Sequence, residues 1–151
     1  MALKRVVVTG LGALTPIGNN LDEFWTGLIE GKSGAAPITY FDTEKFKTKF
    51  ACELKDFDVS LHLDRKQQRK MDRFTQYGMV STEEAIKDSG LDLEKINKLR
   101  VGVIWGSGIG GIETFQNQML DHASGDGTPR FNPFFIPKMI ADITPCLLYT
   151  S

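Results

Sequence analysis

The cysteines and histidines are the side chains here whose type could support nucleophilic catalysis or metal binding. Cys52 and Cys146 lie far apart and show neither the C-x-x-C nor the mixed Cys/His spacing of a metal or redox site. We therefore predict no metal ligand among them, and for Cys52 a partly buried structural thiol. His62 and His122 have no partner residue at a catalytic spacing, so both are predicted to be surface or loop residues.

A run of glycines at residues 106–111 (GSGIGG) is the sharpest local motif. It matches G-x-G-x-x-G between a predicted strand and a predicted helix, the context of a dinucleotide site. Such a site also needs an acidic residue about 20 positions further on, at the end of a second strand, whereas here that distance leads to Asp126 inside the loop SGDG. Two interpretations follow: a nucleotide-binding α/β module, or glycines that only permit a tight turn.

A second candidate is the basic run at residues 64–73 (DRKQQRKMDR), which holds five basic and two acidic residues, a local net charge of +3. On a helix, Lys66, Arg69, Lys70 and Arg73 share one stripe, and the apolar positions Met71, Phe74, Gly78 and Ala85 cluster on another. The stripe is either a solvated face or a docking site for an acidic partner.

The elements that must position these motifs alternate between strand and helix. Residues 5–9 and 100–105 are apolar and β-branched on both faces, which predicts strands buried in a helix-covered sheet. Helices are predicted over residues 21–30, capped by Asn20 and ended by Gly31, over 65–89 with a possible break near Met71, and over 112–123. Residues 32–63 predict only short strands and loops. This order favours an α/β layered fold with parallel strands.

Composition narrows the function classes. With 151 residues, 41% hydrophobic and 25% charged, the chain has the profile of roughly one globular domain. A net charge of −1 argues against a general nucleic-acid-binding protein. No apolar run is long enough for a membrane span, and the first residues are too short an apolar stretch for a secretory signal, so no membrane association and a cytoplasmic location are expected.

Four blocks, in order, resemble one family, the beta-ketoacyl-[acyl-carrier-protein] synthases, and within it the synthase II type. They are residues 6–18 (VVVTGLGALTPIG), 69–74 (RKMDRF), 106–111 (GSGIGG) and 132–140 (NPFFIPKMI). The resemblance extends over about residues 3–145. It implies a thiolase-like layered αβαβα fold, of which this chain supplies mainly the N-terminal half, and a homodimer.

The resemblance also implies the reaction. An acyl group passes from acyl carrier protein to a cysteine and is condensed with malonyl-carrier protein as carbon dioxide leaves, which gives a 3-oxoacyl product in fatty-acid elongation. The partners are acyl carrier protein and the acyl and malonyl thioesters, and no cofactor is implied. A polyketide ketosynthase or its chain-length factor is the alternative within this class.

The same resemblance assigns the docking and acyl-pocket residues. Lys66, Arg69, Lys70 and Arg130 correspond to carrier-protein docking positions, and the position beside Arg130, often basic in the family, is Phe131 here. The acyl pocket is implied at Ile109, Phe135 and Ile136, whereas the sequence alone, without the resemblance, favours plain core packing for these three.

No catalytic residue of the family's motifs matches this chain. The family nucleophile belongs to a T-A-C-x-S motif beyond Pro145, so these 151 residues are expected to be inactive alone. Residues 1–145 are predicted to form a truncated N-terminal thiolase-like domain, and residues 146–151 (CLLYTS) depart from the family and are predicted to be a non-native tail.

Overall fold

The computed structural model describes residues 3–150. The chain divides into two compact units: one runs to Phe57 and also contains Ser81–Asp92, and the other contains Asp58–Val80 and the residues from Leu93 onward. The elements, in chain order, are α1 (Leu21–Ile29), β1 (Ala36–Pro37), β2 (Phe50–Ala51), α2 (Arg65–Lys70), α3 (Arg73–Ser89), α4 (Ile112–Ser124), α5 (Phe135–Met139) and α6 (Ile143–Thr150).

Helix α1 begins at Leu21, as predicted, and ends at Ile29, one residue before the predicted end. The Asn20 side chain accepts a hydrogen bond from the backbone N–H of Glu23, so one of the unpaired donors of the first turn is satisfied. Asp22 and Glu23 in that turn complement the positive end of the helix dipole. Gly31 follows the last turn with a φ of 65°, the left-handed conformation that ends many helices.

Residues 32–63 contain only short elements, as predicted. β1 and β2 form a two-residue antiparallel ladder in which Ala36 pairs with Ala51. The prediction of a partly buried Cys52 is wrong, because this thiol is exposed. β2 ends at Ala51, so Cys52 lies just outside the two-residue ladder.

The two buried strands predicted at residues 5–9 and 100–105 are not found in the structure. Both segments are extended but belong to neither strand of the sheet, which is formed by β1 and β2. Val6 is 89% exposed and Ile104 is 100% exposed. An apolar strand is buried only where neighbouring strands pair with it and a second layer covers it, and within residues 3–150 neither segment pairs with another strand.

The long helical pattern at residues 65–89 is interrupted near Met71, as predicted. α2 begins with a capping box in which the Asp64 carboxylate accepts from the Gln67 N–H and the Gln67 side chain accepts from the Asp64 N–H. Met71 then adopts an extended conformation, which separates α2 from α3. Gly90, with a φ of 64°, follows the end of α3.

The first glycine-rich segment, residues 10–18, lies directly on the second half of α3. A Cβ atom on Gly12 would stand 2.0 Å from the carbonyl oxygen of Ser81, so only glycine permits this approach. Two carboxylates of α3 accept hydrogen bonds from the segment: Asp88 from the Leu11 N–H and Glu84 from the Ala13 N–H, each at 2.8 Å.

The second unit has its own small core. Leu63, Met71 and Val80 are its buried apolar side chains, and Thr75 of α3 is fully buried against Thr144 of α6, whose hydroxyl donates to that of Thr75 at 3.3 Å. Of the predicted apolar positions, Met71 and Gly78 are buried, and Phe74 and Ala85 are half-buried. Within the described residues, no helix combines the length and apolar character needed to cross a membrane.

Candidate functional site

A cleft of about 680 Å³ lies between α2 and the turn that precedes α5. One wall carries four cationic side chains, and the other is formed by a short, largely apolar turn; the lining residues are Arg65, Lys66, Arg69, Lys70, Asn132, Pro133 and Phe134. Three of the four predicted docking residues therefore lie together in one cleft. The structure adds Arg65, which belongs to the basic run but not to the predicted stripe, and it adds the apolar wall.

Lys70 joins the two walls of this cleft. Its ammonium lies 5.6 Å from the centroid of the Phe134 ring, within the range of a cation–π interaction. The predicted stripe is shorter than expected, because Arg73 belongs to α3 and forms an ion pair with Glu113 of α4 at 3.3 Å. The chain changes direction at Met71, so the periodicity of a single helix does not extend across residues 65–73.

Arg130 is not among the residues that line the cleft. Its guanidinium donates to Asp126 at 2.9 Å within the same loop, and both side chains are exposed. The pKa of Asp126 lies below its ordinary value, first because the Thr128 backbone N–H donates to it, then because of the Thr128 side chain and the Arg130 guanidinium.

The second glycine-rich segment, residues 106–111, lies on the C-terminal end of α5. The Gly111 N–H donates to the Met139 carbonyl oxygen at 3.0 Å. A Cβ on Gly111 would stand 2.1 Å from the Lys138 oxygen, so the backbones approach as closely as glycine allows. Ile109 is 72% exposed in this loop, and Ile136 of α5 is 54% exposed. Neither side chain is buried by the rest of the described residues.

The rings of the loop at residues 125–137 stack on one another and on α4. The Phe131 and Phe135 centroids are 5.7 Å apart, and Phe115 stacks on Phe135 at 6.3 Å. His122 packs against Phe131 with centroids 5.3 Å apart. Phe131, which replaces an often basic position, therefore helps to hold Phe135. Both His62 and His122 are exposed, as predicted.

Helix α4 begins directly after the glycine run and receives its cap from elsewhere in the chain. Gly111 occupies the N-cap position and offers no side chain. The carboxylate of Asp72, which is 7% exposed, accepts hydrogen bonds from the backbone N–H of Thr114 at 3.2 Å and from the Thr114 hydroxyl. Sequence reasoning missed this residue, for which the only signal was a helix start without a capping residue.

This arrangement argues against the nucleotide-binding alternative. A phosphate at a G-x-G-x-x-G loop needs the free N–H donors and the positive dipole end of the following helix. At α4 the Asp72 carboxylate takes the Thr114 donor and places an acceptor where an anion would bind.

Comparison with known proteins identifies the family. The model of the beta-ketoacyl synthase N-terminal domain matches residues 3–147. The chain is 46% identical, over 93% of its length, to the proteins named 3-oxoacyl-[acyl-carrier-protein] synthase 2 of Staphylococcus aureus (strain COL) and of Synechocystis sp. (strain ATCC 27184 / PCC 6803 / Kazusa). It spans about a third of these relatives, 34% and 33% of their lengths.

Solved structures agree with this. The ishigamide ketosynthase/chain length factor matches with a TM-score of 0.86 and 30% identity, over 99% of this chain and 37% of that one. The type II polyketide ketosynthase AntDE, solved with its acyl-carrier protein AntF, matches with a TM-score of 0.78 and 28% identity, over 98% and 39%. The fold is therefore the α/β, thiolase-like fold of these ketosynthases, as predicted. Because the family model matches nearly the whole length of this chain, the chain belongs to the beta-ketoacyl synthase family.

Proposed function

We propose that this chain supplies the carrier-protein docking face and part of the acyl pocket of a beta-ketoacyl-[acyl-carrier-protein] synthase that elongates fatty acids. The observation that carries the proposal is the 46% identity to 3-oxoacyl-[acyl-carrier-protein] synthase 2 across 93% of the chain. We further propose that residues 1–145 are the N-terminal part of such an enzyme, and that residues 146–151 are not native to it.

The proposed reaction has two steps. A cysteine thiolate, expected in the region after Pro145, attacks the acyl thioester, and the carrier protein leaves as its thiolate, which takes up the proton that the cysteine thiol gave up. Loss of carbon dioxide from malonyl-carrier protein then leaves an enolate whose carbon attacks the acyl-enzyme carbonyl, so the new carbon–carbon bond forms as the cysteine thiolate departs. The family's histidines that stabilise the enolate are also expected beyond this chain.

The basic cleft supports the docking role. Its cations stand on the exposed face of α2, where an acidic helix of a carrier protein can reach them, and its apolar wall at Pro133 and Phe134 offers contact area beside the charges. We assign docking to Lys66, Arg69 and Lys70, with Arg130 as a peripheral contact.

The pocket role is assigned to Ile109, Phe135 and Ile136. Their two elements touch through the bond from Gly111 to Met139, and Ile109 and Ile136 present apolar surface that nothing in this unit covers. An apolar acyl chain is a ligand for such surface, because each buried methylene contributes about 0.8 kcal/mol.

The test is an assay of the complete protein encoded with this chain. Purified enzyme is incubated with acyl- and malonyl-carrier protein, and carrier-bound products are identified by mass spectrometry. We expect a 3-oxoacyl product two carbons longer than the primer. Absence of any product with primers of six to sixteen carbons would overturn the proposal.

A polyketide ketosynthase or chain-length factor is the second candidate, because both solved structures described above come from that class. Repeated condensation without reduction of the 3-oxo groups, in the same assay, would identify it. A homodimeric assembly and a cytoplasmic location stay predictions from the sequence.

A further inference from the structure

We propose that Asp72 is a positioning residue that fixes the start of α4 and thereby holds the glycine loop that carries Ile109. Asp72 precedes α3, 42 residues before the helix that it caps. The inference rests on the proposed function only where it concerns acyl-chain selectivity.

The need for a remote cap follows from the close packing of the loop. Serine, threonine, asparagine or aspartate at the N-cap would satisfy the N–H groups of the first turn. At residue 111, however, any side chain would collide with the backbone of Lys138. The position therefore has to be glycine, and the acceptor has to come from another element.

Asp72 meets the geometry of that role. Gly111 is the N-cap of α4, so Thr114 is its third helical residue, the one whose N–H an N-cap side chain accepts. Asp72 accepts this N–H at 3.2 Å and the Thr114 hydroxyl in addition. A carboxylate at this end is also favoured by the helix dipole.

The cap has a direct effect on the loop. Ile109 is two residues from Gly111 and is held otherwise by the bond from the Gly110 N–H to the Ser107 hydroxyl, at 3.1 Å, and by the Gly111 contact with Met139. If the first turn of α4 frays, the loop loses its fixed C-terminal anchor. The position of Ile109 would then vary, and with it the depth of the pocket that Ile109 is proposed to limit.

The experiment uses the complete protein and measures amide hydrogen exchange by mass spectrometry. Asp72→Ala removes Oδ2, which accepts both hydrogen bonds from Thr114, and Oδ1, which accepts from the Phe74 N–H at 3.5 Å. Asp72→Asn is the matched control because its amide keeps an acceptor oxygen and the same shape. We expect Asp72→Ala to speed exchange in peptides covering residues 106–115 about five- to tenfold, as loss of an N-cap does, and Asp72→Asn to change it less than twofold. Exchange at Leu11 and Ala13, which other carboxylates hold, should not change.

Two further measurements keep the inference falsifiable. Thr114→Val, with Thr114→Ser as its control, removes only the hydroxyl and should speed exchange in the same peptides by a smaller factor than Asp72→Ala. It tests the cap even if Asp72→Ala does not fold. The ratio of kcat/KM for fourteen- and six-carbon primers should shift in Asp72→Ala or Thr114→Val and hold in the two controls, with KM for carrier protein unchanged.

The outcomes separate the two proposals. Unchanged exchange at residues 106–115 in both Asp72→Ala and Thr114→Val, or an equal increase at residues 10–18, overturns the positioning role. An unchanged selectivity ratio despite faster exchange overturns its link to the pocket. If the wild-type protein condenses nothing, the proposed function fails, and the exchange data still decide the role of Asp72.

Discussion

The two glycine-rich segments, residues 10–18 and 106–111, are anchored by the same means within their separate units. In each, a glycine allows backbone to approach helix backbone: Gly12 on Ser81 and Gly111 on Lys138. In each, a carboxylate accepts a backbone N–H that has no acceptor nearby in sequence. Glu84 of α3 accepts from Ala13 in the first segment, and Asp72, just before α3, accepts from Thr114 in the helix that follows the second.

The segments differ in what they leave exposed. Residues 12–18 are half-buried, and Thr15 and Gly18 close a small bridge on themselves. The second segment instead projects Ile109, 72% exposed, from a run that otherwise holds only glycines and a serine. A shared anchoring device thus serves a structural turn in one unit and presents an apolar side chain in the other, which is why a glycine motif alone does not specify a function.

The largest effect should come from the glycines at the close approaches. Gly12→Ala and Gly111→Ala each force a methyl group into backbone, so each should lower the free energy of unfolding by about 3 kcal/mol, the upper part of the range for overpacking. Gly108→Ala is the matched control, because nothing lies within 4 Å of its Cβ position. Thermal and denaturant unfolding of the complete protein measures this, and a full-stability Gly111→Ala would contradict the described packing.

Enlarging one apolar residue in each glycine-rich segment should change acyl-chain selectivity only in the second segment. Ile109→Phe is expected to lower kcat/KM for fourteen-carbon primers about 30-fold relative to six-carbon primers, since two to three methylenes lose their place, about 2 kcal/mol. Because Ile109 is exposed, the melting temperature should hold. Leu11→Phe, at a 53% exposed position of the first segment, should leave the ratio unchanged. Equal ratios in the two variants would remove the pocket role from Ile109.

Charge reversal in the basic cleft should have the next largest effect. Changing Lys66, Arg69 and Lys70 together to Glu is expected to raise KM for acyl carrier protein at least about tenfold, because exposed ion pairs contribute up to about 1 kcal/mol each. The kcat/KM for a small acyl thioester should not change, and the rise in KM for acyl carrier protein should be smaller at high salt. Arg130→Glu should change KM less, since Arg130 is paired with Asp126. If the triple variant docks normally, the cleft is only a solvated face.

The smallest effect concerns pH in the loop of Asp126. The pKa of its carboxyl is lowered from 3.8, mainly by the Thr128 N–H, so the folded protein favours the ionised form. The contribution of the ionised Asp126 carboxylate to folding stability is therefore present at neutral pH and is lost as the pH falls through its lowered pKa. NMR titration should place this pKa below 3.8, and Thr128→Pro, which removes the N–H, should raise it. A wild-type value at or above 3.8 would contradict the hydrogen bond.

Local signals predicted the helices well. Asn20, Gly31 and Gly90 mark helix ends through interactions within a few residues, so the sequence pattern contains the whole cause. The strands at residues 5–9 and 100–105 were not found, because burial of a strand depends on partners far along the chain, which no local pattern specifies.

The candidate site divides in the same way. The cations of α2 follow from helical spacing, and their common stripe was predictable up to the break at Met71. The roles of Asp72 and Phe134 were not predictable, because each depends on a contact with a residue more than 40 positions away in sequence. Family resemblance located Ile109 and Ile136, and the structure showed that they are exposed.

The remote cap of α4 also bears on the order of events during synthesis. Residues leave the ribosome from the N-terminus, so Asp72 is made 42 residues before Thr114. Domains fold largely in this direction as they are made. The acceptor is therefore already available when the first turn of α4 forms, so the Thr114 N–H need not wait for a later residue to supply its partner.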